Sequence, residues 1–296
     1  MKSISLNKRL TWLEPASMSN FSGCGGLLIE GKVRIGIDTN FGVETAGWLV
    51  SSKPDVLIAS HYHIDHVATL KHGEDAGVGR LLIPAADLRM VRNPENYNHL
   101  VDREGELLAF WKELLLRYRF WPTGPVDGFV AEDIEDLGTG LVAIPSPGHS
   151  PGHTSFLLPD EGVLFTGDMG IDNFGPWYCW PDCDLRTLVA SLIRLRDIGA
   201  KTLLTSHGGM ISGEVDCRQA FDKAIEVIRK REDSIAGMTE QGVSNEEIIR
   251  RGLLYPGHQN YKTEFRHIMG YWEEKILQQH LAALAVGGVF GDRQKN

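Results

Sequence analysis

A continuous apolar run, Val56 to Ser60, leads without a break into His61-Tyr62-His63-Ile64-Asp65-His66. An unbroken run of this length marks a strand buried on both faces. Four side chains able to bind a metal then fall within six positions, where that strand ends. Neutral imidazole is a common ligand for zinc and its neighbours, and carboxylate oxygen is a good companion. With histidine at the frequency found here, the string arises by chance roughly once per thousand such chains. The fold must therefore present a rigid strand end beside a cleft, as α/β folds do.

Three further positions repeat the setting. His149 follows the apolar run Leu141 to Ile144 in Ser-Pro-Gly-His-Ser-Pro-Gly-His, Asp168 follows Val163 to Thr166, and His207 follows Lys201 to Ser206. Each is flanked by glycine, which lets the backbone turn sharply and come close to an ion. If these strands lie side by side, the side chains converge on one rim. His153 repeats the Pro-Gly-His unit, but one histidine there completes the set, so His153 is read as supporting the ligands.

Other strand signals are Cys24 to Glu30 and Val33 to Asp38, a hairpin about Gly31-Lys32, and Thr154 to Leu158. Helical spacing appears in Leu107 to Tyr118, ended by Pro122, and in Leu185 to Arg196. After about residue 213 the strand signal nearly disappears. Phe221 to Arg231 reads as an amphipathic helix, Ser244 and Glu247 as a capping box, and Phe265 to Val286 as a long helix stopped by Gly287-Gly288. A polar tail follows. Two strand-rich blocks, each followed by helices, predict an α/β sandwich.

Composition narrows the partners. A formal net charge of -9 argues against a chain built to grip a polyanion. No stretch approaches the roughly 20 apolar residues of a membrane span, and Met1 to Leu13 has no apolar secretory core. The four cysteines are scattered, as reduced thiols in a cytoplasmic protein would be.

These motifs resemble the metallo-β-lactamase superfamily, in the branch that includes glyoxalase II. The resemblance runs from about Asp38 to His207. It implies an αββα sandwich over residues 1–212, with a helical insertion at about 85–122 and a helical, winged-helix-like subdomain over 213–296. The landmarks of that tail are Arg229 to Glu232, the helix from Ser244 and the closing Ala-Ala-Leu-Ala-Val-Gly-Gly. It also implies His61, His63 and His149 on one divalent metal, Asp65, His66 and His207 on a second, and Asp168 bridging. Asp38, in Gly-Ile-Asp-Thr, would support the ligands without touching metal.

Two cations roughly 3.5–4 Å apart lower the pKa of a shared water toward neutrality. The implied enzyme is a hydrolase that uses the bridging hydroxide, with Asp65 orienting it and helping to protonate the leaving group. Zinc is the default metal, and iron or manganese suits the same donors. Trp177, Tyr178 and Trp180, in the aromatic stretch Asn173 to Trp180, are read as walls of a substrate pocket or, equally, as cover for the core. The expected substrate is a small-molecule ester, thioester or lactone. A single-strand nuclease is the alternative, and Arg229, Lys230, Arg231, Arg250 and Arg251 would begin its basic stripe. An iron persulfide dioxygenase comes last, because the ligand set for two metals is full. Aspartate at 168 speaks against the zinc β-lactamases that use cysteine there. The long terminal helix, with Trp272, Ile276 and Leu277, is a surface for its own domain or for a second copy.

Overall fold

A computed structural model describes residues 1–16, 23–118, 120–172 and 174–291. Asn173 and the end of the polar tail, 292–296, lie outside the described residues. A seven-stranded sheet runs in chain order through β1 (Lys2–Ser5), β2 (Leu10–Glu14), β3 (Gly26–Ile29), β4 (Ile35–Ile37), β5 (Val56–Ile58), β6 (Arg80–Pro84) and β7 (Asp127–Phe129). The first four strands pair antiparallel, and β4 to β7 run parallel. A five-stranded sheet holds β8 (Val142–Pro145), β9 (Thr154–Leu158), β10 (Val163–Phe165), β11 (Thr202–Thr205) and β12 (Gly209–Ser212), in the order β12-β11-β10-β9-β8. Its pairs are antiparallel except β10 with β11.

Alternation along the strands separates two cores. Ile35, Ile37, Val56 and Ile58 meet Phe156, Val163, Phe165 and Leu204 of the other sheet in one hydrophobic cluster. Leu57, between Val56 and Ile58, faces the opposite way and packs with Leu49, Val67 and Leu70. This is why β5 is apolar at every position. Its outer face is covered by α1 (Thr45–Ser52) and α2 (Ile64–Ala76).

The remaining helices are α3 (Leu88–Arg92), α4 (Glu106–Tyr118), α5 (Ala131–Glu135), α6 (Leu185–Asp197), α7 (Glu214–Glu240), α8 (Asn245–Arg251) and α9 (Thr263–Leu284). Helix α7 packs on α6, and α9 touches α4, α6 and α7. Phe221, Ile228, Trp272 and Ile276 share a hydrophobic cluster with Trp180 and Leu188, so the C-terminal helices and the sandwich have a common core. The result is an α/β sandwich with a helical C-terminal region, as predicted. Among the described residues no helix is long and apolar enough to cross a membrane.

Some readings need correction. Helix α7 extends well beyond Phe221 to Arg231, because its buried stripe of Cys217, Phe221, Ala224, Ile228 and Ile235 continues under polar ends. Ser244 Oγ accepts the Glu247 N–H at 3.3 Å, but the Glu247 carboxylate turns to Arg250 and Arg251 and leaves the capping box half made.

Candidate metal centre

Strand direction explains the convergence. Strands β8, β10 and β11 all run the same way, since β9 reverses between β8 and β10 and β11 is parallel to β10. His149, Asp168 and His207 therefore leave the second sheet at one edge. In the first sheet β4 and β5 are parallel, which sets Asp38 beside the loop carrying His61 to His66.

Two overlapping groups form there: His61, His63, His149 and Asp168, and Asp65, His66, His207 and Asp168. Within each group one donor atom from every residue lies within 4.8 Å of the others. In the first, His63 Nδ1 is 2.8 Å from His149 Nε2. Asp168 Oδ2 lies 3.7 Å from His149 Nε2 and 4.0 Å from His61 Nε2. In the second, His66 Nε2 is 3.2 Å from Asp168 Oδ1, and His207 Nε2 is 3.1 Å from Asp65 Oδ2 and 3.4 Å from Asp168 Oδ2.

The donor set suits two cations. His61 Nε2 and His63 Nε2 are buried without a hydrogen-bond partner, an expensive arrangement unless an ion meets them. Burial pushes the pKa values of His61 and His63 well down, as neutral ligands require. Burial opposes charge on His66 and His207 as well. There the carboxylates win: Asp168, Asp38 and Asp65 raise His66 well above its ordinary value, and Asp168 with Asp65 pushes His207 up to about 10. The carboxylates thus draw positive charge into this half of the site. The cluster is compatible with a dinuclear divalent metal centre.

Supporting contacts fix the rings. Asp38 Oδ2 lies 2.8 Å from His66 Nδ1, and Asp38 Oδ1 accepts the Ser60 N–H at 2.8 Å. A carboxylate accepts only, so Nδ1 carries the proton and Nε2 faces the cluster. The His149 Nδ1–H donates to the Trp177 carbonyl at 2.8 Å, with the same consequence. His153 Nε2 accepts the Asp168 N–H at 3.0 Å, and its Nδ1 meets Ser146 Oγ at 2.9 Å. Both ring nitrogens are occupied, so His153 holds the Asp168 backbone. Burial, assisted by His149, pushes its pKa down to about 3. Gly167 makes this contact possible. Its φ is 57°, and a Cβ there would sit 2.6 Å from His153 Nε2.

Comparison with known proteins agrees with this geometry. The family model of the metallo-beta-lactamase superfamily matches residues 51–207, just over half of the chain. The chain belongs to the metallo-β-lactamase superfamily. A beta-lactamase-like protein 2 homolog of Caenorhabditis elegans is 26% identical over 201 residues, 67% of this chain and 55% of that one. The probable metallo-hydrolase YflN of Bacillus subtilis is 24% identical over 175 residues, 53% of this chain and 66% of that one. An atrochrysone carboxyl ACP thioesterase of Aspergillus terreus is 27% identical over 131 residues, 38% of this chain and 37% of that one. The chain thus spans between about a third and two thirds of these relatives.

Among solved structures, a metallo-beta-lactamase family protein of Thermus thermophilus superposes with a TM-score of 0.66 at 18% identity, covering 95% of this chain and 96% of that one. TTHA1623 in a di-iron-bound form superposes at 0.50 with 22% identity, covering 68% and 94%. Both solved structures share the fold of this chain.

In this member of the metallo-β-lactamase superfamily a cleft open to solvent borders the cluster. His63, Asp65, His149, Asp168 and His207 form its floor. Its walls carry Trp177 and Trp180 and also Tyr97, Leu100, Trp111, Phe174 and Tyr255. Tyr178 is a correction. It turns away from the cleft, and its hydroxyl meets His280 Nε2 at 2.9 Å and accepts from Arg231 at 3.3 Å, among the C-terminal helices.

Tyr255 is a wall residue missed in the sequence. Its segment is pinned by the buried Glu273, whose carboxylate accepts the N–H groups of Leu253, Leu254 and Tyr255. Each cation of the expected basic stripe has a local partner. Arg250 and Arg251 pair with Glu247, Lys230 faces Glu226, Arg229 stacks on Phe290 and Arg231 donates to the Pro176 carbonyl.

Proposed function

We propose that the protein is a dinuclear metal-dependent hydrolase of a small-molecule ester, thioester or lactone with an apolar acyl part. One observation carries this reading: an aromatic cleft opens directly onto the His/Asp cluster. Aromatic walls accept apolar groups, and a few polar groups on the floor orient the reacting bond. The thioesterase name of one relative points the same way. The glyoxalase II-like branch is our reading of the subtype, and it rests on the H-x-H-x-D-H string together with aspartate at 168.

His61, His63 and His149 would hold one ion, Asp65, His66 and His207 the other, and Asp168 would contact both. Divalent ions there supply a nucleophile at neutral pH and polarise a carbonyl oxygen. Zinc is the first choice for this donor set, and the di-iron form of one fold neighbour keeps iron in view. Asp65 lines the cleft floor, where it would orient the nucleophile and pass a proton to the leaving group. The walls exclude water from the acyl group, and Asp38 and His153 keep the ligands in register.

The test is turnover by zinc-loaded protein on p-nitrophenyl esters, acyl thioesters and lactones, with chelated protein and Asp65→Ala as controls. Turnover that needs metal and falls at least about 100-fold in Asp65→Ala is expected. If all three substrate classes stay at the level of the controls, the proposal fails.

A further inference from the structure

We infer that the substrate carries no negative charge away from its scissile group, and that Asp172 enforces this selectivity. The inference rests on the hydrolase reading above and narrows its substrate class. Among the described residues, no Lys or Arg lines the cleft. Arg231 lies behind the wall, where its Nη1 donates to the Pro176 carbonyl and the Tyr178 hydroxyl.

Three hydrogen-bond donors of the wall are spent inside it. Trp111 Nε1 donates to the Tyr97 carbonyl at 2.8 Å, Trp177 Nε1 to the Tyr255 hydroxyl at 2.9 Å, and the Tyr97 hydroxyl to the Tyr62 carbonyl at 2.5 Å. A carboxylate or phosphate on the distant part of a substrate would lose its water and meet no Lys or Arg among the described lining residues.

It would find a like charge instead. Asp172 lines the cleft outside the metal cluster, half-buried. Its Oδ1 accepts the N–H groups of Phe174 at 2.8 Å and Gly175 at 2.7 Å, which fixes the loop and the carboxylate together. That leaves its Oδ2 available to a donor on the substrate. The site therefore fits an uncharged ester or lactone, apolar along most of its length, whose only strong polar contact beyond the reacting bond is an N–H or O–H donor. Thioesters of glutathione or coenzyme A, which carry carboxylates or phosphates on the leaving group, fit poorly.

A matched pair tests this: p-nitrophenyl pentanoate and p-nitrophenyl hydrogen glutarate have the same acyl length and differ by a terminal carboxylate. The zinc-loaded protein is expected to favour the pentanoate by at least about tenfold in kcat/KM. In Asp172→Asn, whose amide oxygen can still accept both loop N–H groups, the ratio should shrink at least about fivefold. Tryptophan fluorescence quenching by octan-2-one and by 7-oxo-octanoate, neither of which is hydrolysed, reads the same preference without turnover, in both loaded and chelated protein.

Equal kcat/KM values for the two esters, or equal binding of the two ketones, would overturn the inference. An unchanged ratio in Asp172→Asn would overturn the role of that residue. Preference for octan-2-one without turnover of either ester would sink the hydrolase reading and leave the charge selectivity standing.

Discussion

Three donors converge on the buried carboxylate of Asp87: the Tyr62 N–H at 3.1 Å, the Ser150 hydroxyl at 2.9 Å and the Gly152 N–H at 2.7 Å. Tyr62 lies between His61 and His63, and Ser150 follows His149. One side chain thus ties together the two loops that carry three of the imidazoles. An amide has a single acceptor oxygen, so Asp87→Asn sets an NH2 group against one of these donors. The expected cost is about 1–3 kcal/mol of stability and about a 10–100-fold loss of zinc affinity. Thermal denaturation and competition with a zinc indicator measure the two effects. Unchanged affinity would mean that the loops hold their shape without Asp87. Nothing in the sequence marks this residue, because its partners lie 25 to 65 positions away and meet it only in the fold. The cluster itself was legible because ligand chemistry demands a narrow set of residue types at strand ends. Tyr178 was misread as a wall because an aromatic run does not reveal which rings face the cleft.

Helices α7 and α9 meet through a buried polar contact with a consequence for pH. His280 Nε2 sits 2.9 Å from the Tyr178 hydroxyl, and its Nδ1 lies 3.6 Å from Glu232, with Arg231 close by. Burial lowers the His280 pKa, and the attraction of Glu232 only partly offsets it. The folded state therefore binds this proton less readily than the unfolded chain, whose histidine titrates near about 6.5. The stability contribution is present above that pH and is lost as pH falls through the window below it. His280→Gln should be the less stable protein at pH 7.5 yet show a flatter decline in Tm between pH 7 and 5. Comparing the two proteins cancels the imidazoles of the metal centre, which titrate in both. Parallel curves would place the acid sensitivity elsewhere. At this scale α6 and α9 were readable from their apolar stripes and end signals. The ends of α7 were not, since solvated residues there cover the continuing stripe. Helix α2 was hidden because its first turn is itself part of the ligand string.

The side chains of the His/Asp cluster come from both sheets: His61, His63, Asp65 and His66 follow β5, while His149, Asp168 and His207 follow β8, β10 and β11. Bound ions would cross-link the two sheets at one edge, and this edge alone should depend on them. The inter-sheet core of Ile35, Ile58, Phe156 and Phe165 is built without the metal site, as is the packing of α6, α7 and α9. A ligand that binds only the folded state stabilises it by about 4 kcal/mol at a thousandfold excess over its Kd. In a chain of this size that corresponds to roughly 10 °C in Tm. Chelation should therefore lower Tm by about that amount while the far-ultraviolet circular dichroism stays native at 25 °C. A chelated protein that unfolds outright would show that the sheets cannot pair without the ions. A Tm that does not move would show that the seven residues hold no metal tightly enough to matter. The expected intermediate outcome follows from an architecture in which hydrophobic burial builds the sandwich and the cations occupy a rim already formed. The same architecture explains why the cleft was only half legible. Its floor is written as local motifs, whereas Tyr255 reaches its wall through Glu273 on α9 and a chain that returns from the far end of the molecule.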